Sequence, residues 1–189
     1  MPSQSLQTWL TDRTRALDEI EGTHRKVSGT SRGRRHATQQ LNYAYAVLLL
    51  SHFQGFCRDL HDECMDRLLE WITPVGACAG LRITLELGRK LDVGNPNPGN
   101  IGSDFGRFGL KFWDEVYKVD VRNRTRCESL QSLNTWRNAI AHHDPEILAS
   151  QPLHLRHVTD WRRVCDNLAY SFVEVMRVHI GSITGSSPW

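Results

Sequence analysis

A chain of 189 residues, 40% hydrophobic and 23% charged, is long enough to bury a core and too apolar to remain disordered. Its net charge of +2 neither demands nor excludes a polyanionic partner. The cations are nearly all Arg, with Lys only at Lys26, Lys90, Lys111 and Lys118; Arg is the better fork for phosphate, although codon bias accounts for the same richness.

The elements all read as helices. Leu6, Leu10, Leu17 and Ile20 recur at helical spacing and predict a first helix over about residues 4–21. Residues 22–36 break that pattern with Gly, Ser and Thr, and carry Arg25, Lys26, Arg32, Arg34 and Arg35 without an acid from 22 to 36, so they read as a basic loop. A long helix follows over about 37–72, with Leu41, Tyr45, Leu48, His52, Phe56, Leu60, Cys64, Leu68 and Trp71 in three- and four-residue steps, ended by Pro74 and Gly76. His52 and His61 read as core-margin or surface residues of it. A shorter helix spans about 78–91, and residues 92–104, rich in Gly, Asn and Pro, read as a loop. No Gly-Lys-Ser/Thr follows its glycines, which excludes a phosphate loop of the nucleotide-binding kind.

Ser103 or Asp104 is placed to cap the next helix, whose apolar face is Phe108, Phe112, Trp113, Val116 and Tyr117. Leu130, Leu133, Trp136 and Ile140 mark a helix that must stop near His143, because Pro145 disfavours helical dihedrals at Asp144. A final helix spans about 155–180, and residues 181–189 read as a loose tail. The expected fold is a single-domain, all-α antiparallel bundle of about six helices. Five cysteines without a CxxC pair indicate neither a disulfide framework nor a zinc ribbon. No apolar run approaches the ~20 residues of a membrane span, and residues 1–10 lack a signal-peptide pattern, so a cytoplasmic protein, of bacterial build, is expected.

The chemistry concentrates in Trp136-Arg137-Asn138-Ala139-Ile140-Ala141-His142-His143-Asp144-Pro145. Arg grips phosphate bidentately and His moves protons near neutrality, a pairing able to cut RNA without a metal. At 100° per residue, Arg137 falls at the margin of the apolar stripe, while Asn138 and His142 lie nearly opposite it. Each also has a structural reading: a His near a helix C-terminus is favoured by the dipole, and an Arg at a core margin often only snorkels. His142-His143-Asp144 makes a poor metal site, since adjacent histidines diverge on a helix and no further ligands are placed; no metal or other cofactor is expected.

The run Arg137 to His142 resembles the Arg-x4-6-His signature of HEPN domains, and the segment Phe108 to Val116 ahead of it is similar to the RiboL-PSP type of that family. About six to ten residues carry the resemblance specifically, within a helical frame that fits most of the chain. It implies a metal-independent endoribonuclease acting as a homodimer, with the two motifs facing each other across the interface. Arg137, Asn138 and His142 become the active-site residues, with His143 a possible auxiliary. Attack by the RNA 2′-hydroxyl on its own phosphate leaves a 2′,3′-cyclic end and spares DNA. The resemblance further implies a toxin or effector of a toxin–antitoxin or antiphage defence system, held in check by an antitoxin or regulatory partner. The basic loop at Arg25, Lys26, Arg32, Arg34 and Arg35 then steers RNA, or is only a solvated loop. The alternatives are a non-catalytic dimeric helical module that binds RNA or a protein partner, and, more remotely, a bundle with a closed small-molecule pocket.

Overall fold

The computed structural model describes residues 2–28, 36–72 and 75–189, and every regular element among them is helical. None of these helices is long and apolar enough to cross a membrane. The first runs further than its apolar spacing predicts. Helix α1 (Gln4–Thr8) passes through a π-helical turn (Trp9–Arg13) into α2 (Thr14–Ser28). The π turn sends Trp9 fully into the core and lays Arg13 across α3, where it pairs with Asp59 at 2.6 Å. Gly55 leaves room for that guanidinium: a Cβ there would sit 2.3 Å from it, and Arg13 would have to shift.

Residues 22–28 of the expected basic loop are therefore helix, a correction. Gly22 costs helix stability, but Thr23 bonds back to the Glu19 carbonyl and Arg25 pairs with Glu21 one turn earlier. Arg32, Arg34 and Arg35 lie outside the described residues.

Helix α3 (His36–Leu69) is the axis of the fold and touches α1, α2, α4, α5, α6, α8 and α10. It ends before Trp71, which is 60% exposed and not part of the stripe assigned to it. His61 is another correction: it is fully buried, between the rings of Phe105 and Phe108 at 5.7 and 4.9 Å. Helix α4 (Val75–Glu86) stops five residues short of Leu91, because Gly88 takes the left-handed φ of 70° that terminates a helix.

The expected loop 92–104 is mostly helix as well. It holds α5 (Lys90–Val93) and α6 (Pro98–Phe105), leaving 94–97 irregular. Asn97 caps α6 by accepting from the Asn100 amide at 2.8 Å, with Pro98 at the first helical position. Asp104 caps no following helix. It lies inside α6, buried, and accepts the backbone amides of Lys90 and Leu91 at 2.9 and 2.8 Å, so it caps α5 from 13 residues away. A 3-10 turn (Gly106–Phe108) leads to α7 (Phe112–Val119), α8 (Asn123–His142), α9 (Pro145–Ser150) and α10 (Leu155–Thr184). The chain thus has more helices than the about six expected. The tail shrinks to residues past Gly185, whose φ of 75° ends α10, and the half-buried Trp189 folds back onto the core.

The core centres on Phe172 of α10, whose ring lies 5.9, 6.2, 4.9 and 5.5 Å from those of Phe53, Phe105, Phe112 and Trp113. Four segments meet at this one ring. Cys57, Cys64 and Cys165 are buried in the same core, and burial pushes their thiols well up. Phe172→Ala is expected to cost about 3–5 kcal/mol, read as a fall in the urea midpoint without a change of slope.

Burial, with Arg89 Nη1 at 3.4 Å from Nδ1, pushes the His61 imidazole down to about 4; Asp62 Oδ1, paired with that same Arg89, stands 4.0 Å from the same nitrogen. The unfolded chain takes this proton near the ordinary 6.5 and the folded chain does not, so stability falls as pH drops from 6.5 to about 4. The loss amounts to about 3 kcal/mol at the low end of that window. Chemical denaturation at pH 7 and pH 4, beside His61→Leu, checks it: the wild type should lose more stability than the variant by about that amount.

Candidate active site

Helix α8 carries the Arg-Asn-His run, and three anchors set its rotation. At its start, Arg122 and Arg126 hold the Asp120 carboxyl well below the usual carboxylate range. Buried Asn123 donates to the Val116 carbonyl and to Ser171 Oγ of α10 at 2.8 and 3.0 Å. Further along, Leu130, Leu133 and Trp136 are buried, and the Trp136 ring lies 6.4 Å from that of Trp161. The partners Asn123–Ser171 and Trp136–Trp161 show that α8 and α10 run antiparallel.

With α8 so fixed, the opposite side of its last turns faces water. Arg137 is half-buried at the edge of the apolar face, and Asn138, His142 and His143 are exposed, as the helical projection predicts. Arg137 Nη1 donates to Asn138 Oδ1 at 3.3 Å, and no carboxylate among the described residues pairs with it. An unpaired guanidinium at the surface binds oxyanions, and an imidazole one turn on is the side chain able to give and take a proton at neutral pH.

The helix ends where Pro145 requires. His142 is its last residue, and His143 takes the left-handed conformation with φ 53° and ψ 46°. The His143 amide donates to the Ile140 carbonyl at 3.4 Å and the Asp144 amide to the Ala139 carbonyl at 2.9 Å, the paired bonds of a Schellman ending. Asp144 then caps α9 through the Glu146 amide at 3.0 Å. His143 is the one non-glycine residue with positive φ among the described residues. The turn sends it away from the helical course, so the two histidines leave α8 along different directions.

A residue outside the run joins it. Asn95, in the 94–97 stretch, donates from Nδ2 to Asn138 Oδ1 at 2.6 Å. No spacing rule links positions 43 residues apart, and the stretch reads in sequence only as turn-forming. Arg25 and Lys26 sit on α2, exposed, and Arg25 lines a polar cleft with Arg156, Arg162 and Arg163; no contact brings either to Arg137 or His142. A larger cleft of about 940 Å³ lies elsewhere, lined by Leu110, Tyr117, Val121, Val178 and His179 among others, and no residue of the run lines it. Among the described residues no three His, Cys, Asp or Glu side chains converge as a metal-ligand set.

No protein-family model, curated protein or solved structure matches the chain.

His143 holds a conformation that glycine adopts without a Cβ clash. His143→Gly is expected to raise stability by about 1 kcal/mol, seen as a higher Tm, if the ending is kept as described.

Proposed function

We propose that this chain is a metal-independent endoribonuclease of the HEPN type, a single-domain cytoplasmic protein that works as a homodimer with its two Arg-Asn-His runs across one cleft. The observation that carries the reading is the solvent-facing placement of Arg137, Asn138 and His142 on one end of α8, with Arg137 unpaired by any described carboxylate. A helix-end His serving only the dipole would not require that arginine beside it.

The chemistry follows from the groups. One His142 imidazole, neutral, takes the proton of a ribose 2′-hydroxyl, and the oxygen attacks its own phosphorus. The phosphorus–5′-oxygen bond breaks, and a protonated imidazole, supplied by the second copy, gives its proton to the departing oxygen. Arg137 stabilises the charge that builds on the phosphate, and Asn138 donates a hydrogen bond to it. The products are a 2′,3′-cyclic phosphate and a free 5′-hydroxyl, and DNA is spared. His143, turned away by its left-handed backbone, is at most an auxiliary. A toxin or effector role in a toxin–antitoxin or antiphage system, under an antitoxin or regulatory partner, is the biological setting of this reading.

Incubation of a mixed RNA pool with purified protein in EDTA tests it. The wild type should leave cyclic-phosphate ends, and His142→Ala should lower the rate by about 10²–10⁴ with an unchanged Tm. The variant Arg137→Ala/His142→Ala/His143→Ala removes any substitution of one histidine for the other. Full activity in that triple variant sinks the proposal; RNA binding without cleavage by the wild type indicates the non-catalytic module instead.

A further inference from the structure

We infer that Asn95 is a positioning residue of this site, whose amide locks Asn138 so that the Asn138 NH₂ group faces outward as a donor to an RNA phosphate. The inference rests on the ribonuclease reading of Arg137, Asn138 and His142.

A guanidinium has donors and no acceptor, so the Asn138 atom that faces Arg137 Nη1 must be its oxygen. The Asn95 atom that meets the same oxygen must then be a nitrogen. Asn138 Oδ1 thus accepts two hydrogen bonds, from Arg137 and from Asn95, which fill both lone pairs. Its Nδ2 has no hydrogen-bond partner among the described residues, and Asn138 is exposed, so the donor end is the one offered to solvent. Without Asn95, only the longer bond from Arg137 Nη1, at 3.3 Å, opposes rotation about the last side-chain bond, and an oxygen turned outward repels phosphate.

Asn95 is itself held firmly. Gln54 of α3 donates from Nε2 to the Leu91 and Gly94 carbonyls at 2.6 and 2.8 Å. Asn100 donates from Nδ2 to the Asn95 carbonyl at 2.8 Å, and Asn134, one turn before Asn138, donates to the Pro96 carbonyl at 3.2 Å. Gly94 leaves the space this network needs, since a Cβ there would lie 2.9 Å from Asn100 Nδ2. The backbone of 94–97 is therefore tied to α3, α6 and α8 at once, and it holds Asn95 beside the motif.

A double-mutant cycle tests the clamp, with Asn95→Ala, Asn138→Ala and the pair. The first readout is affinity for a 2′-O-methyl oligoribonucleotide, which binds without being cut; the second is cleavage of the unmodified RNA. Asn95→Ala should weaken both about tenfold, and should add nothing in the Asn138→Ala background. Full affinity in Asn95→Ala, or a loss that recurs when Asn138 is absent, overturns the inference; the second result is also what a merely loosened loop would give. Binding by the wild type without cleavage sinks the ribonuclease reading, and the clamp is then decided by the binding cycle alone. No binding by the wild type overturns both.

Discussion

A helix of 34 residues with apolar side chains on adjacent faces cannot lie on a surface, and the rest of this fold is arranged around that constraint. Tyr45, Leu49, Phe53, Phe56, Leu60 and Cys64 form one buried line on α3, and Ala46, Leu50, Cys57, His61 and Met65 form the line beside it. No single neighbour covers so wide an arc. α2, α8 and α10 each take part of it, and α10 closes the core with Phe172. Once α8 is packed against both α3 and α10, its remaining side is committed to solvent. The placement of Arg137, Asn138 and His142 is in that sense a by-product of how α3 is buried.

Much of this was legible in the sequence. The periodicity of Leu130, Leu133 and Trp136, followed by Pro145, gave α8, its buried face and its end, and the long runs gave α3 and α10. The short helices were not legible as such, although a signal existed. Both α6 and α9 open on an Asn-Pro or Asp-Pro pair, Asn97-Pro98 and Asp144-Pro145, in which the first residue caps and the proline starts the helix. The same dipeptides also mark turns, and composition alone does not separate the two uses. The N-terminal helix outran its apolar stripe because local bonds at Thr23 and Arg25 carry it past Gly22. The contact of Asn95 with Asn138 had no sequence signal, since it depends on the three-dimensional course of residues 90–105. Nor did the burial of His61, a polar residue that helical spacing alone cannot distinguish from its half-buried neighbours.

The polar groups of the interior divide the labour differently from the apolar ones. The rings around Phe172 bring helices together without fixing their ends. Asp104 on the amides of α5, Asn123 between α7 and α10, Asn42 on the Leu153 carbonyl and Asn134 on Pro96 fix those ends. Each joins a side chain to a backbone group of another segment, the Val116 carbonyl in the case of Asn123. The apolar face of α8 sets which way the candidate site faces, and hydrogen bonds of this second kind hold its polar groups. Its geometry is set by hydrogen bonds of definite direction, and so a methyl group's displacement matters there more than a cavity does.

The three thiols in the core give this architecture a clock. A thiol reacts as its thiolate, and Cys57, Cys64 and Cys165 are both shut off from water and pushed away from ionisation. They are inert while the helices stay together and become ordinary when the helices part. Cys57 and Cys64 lie on α3 and Cys165 on α10, so the speed at which an alkylating reagent captures each one measures how often that helix leaves its neighbours. Equal speeds would mean that the core opens as one body; a faster Cys165 would mean that α10 breathes on its own.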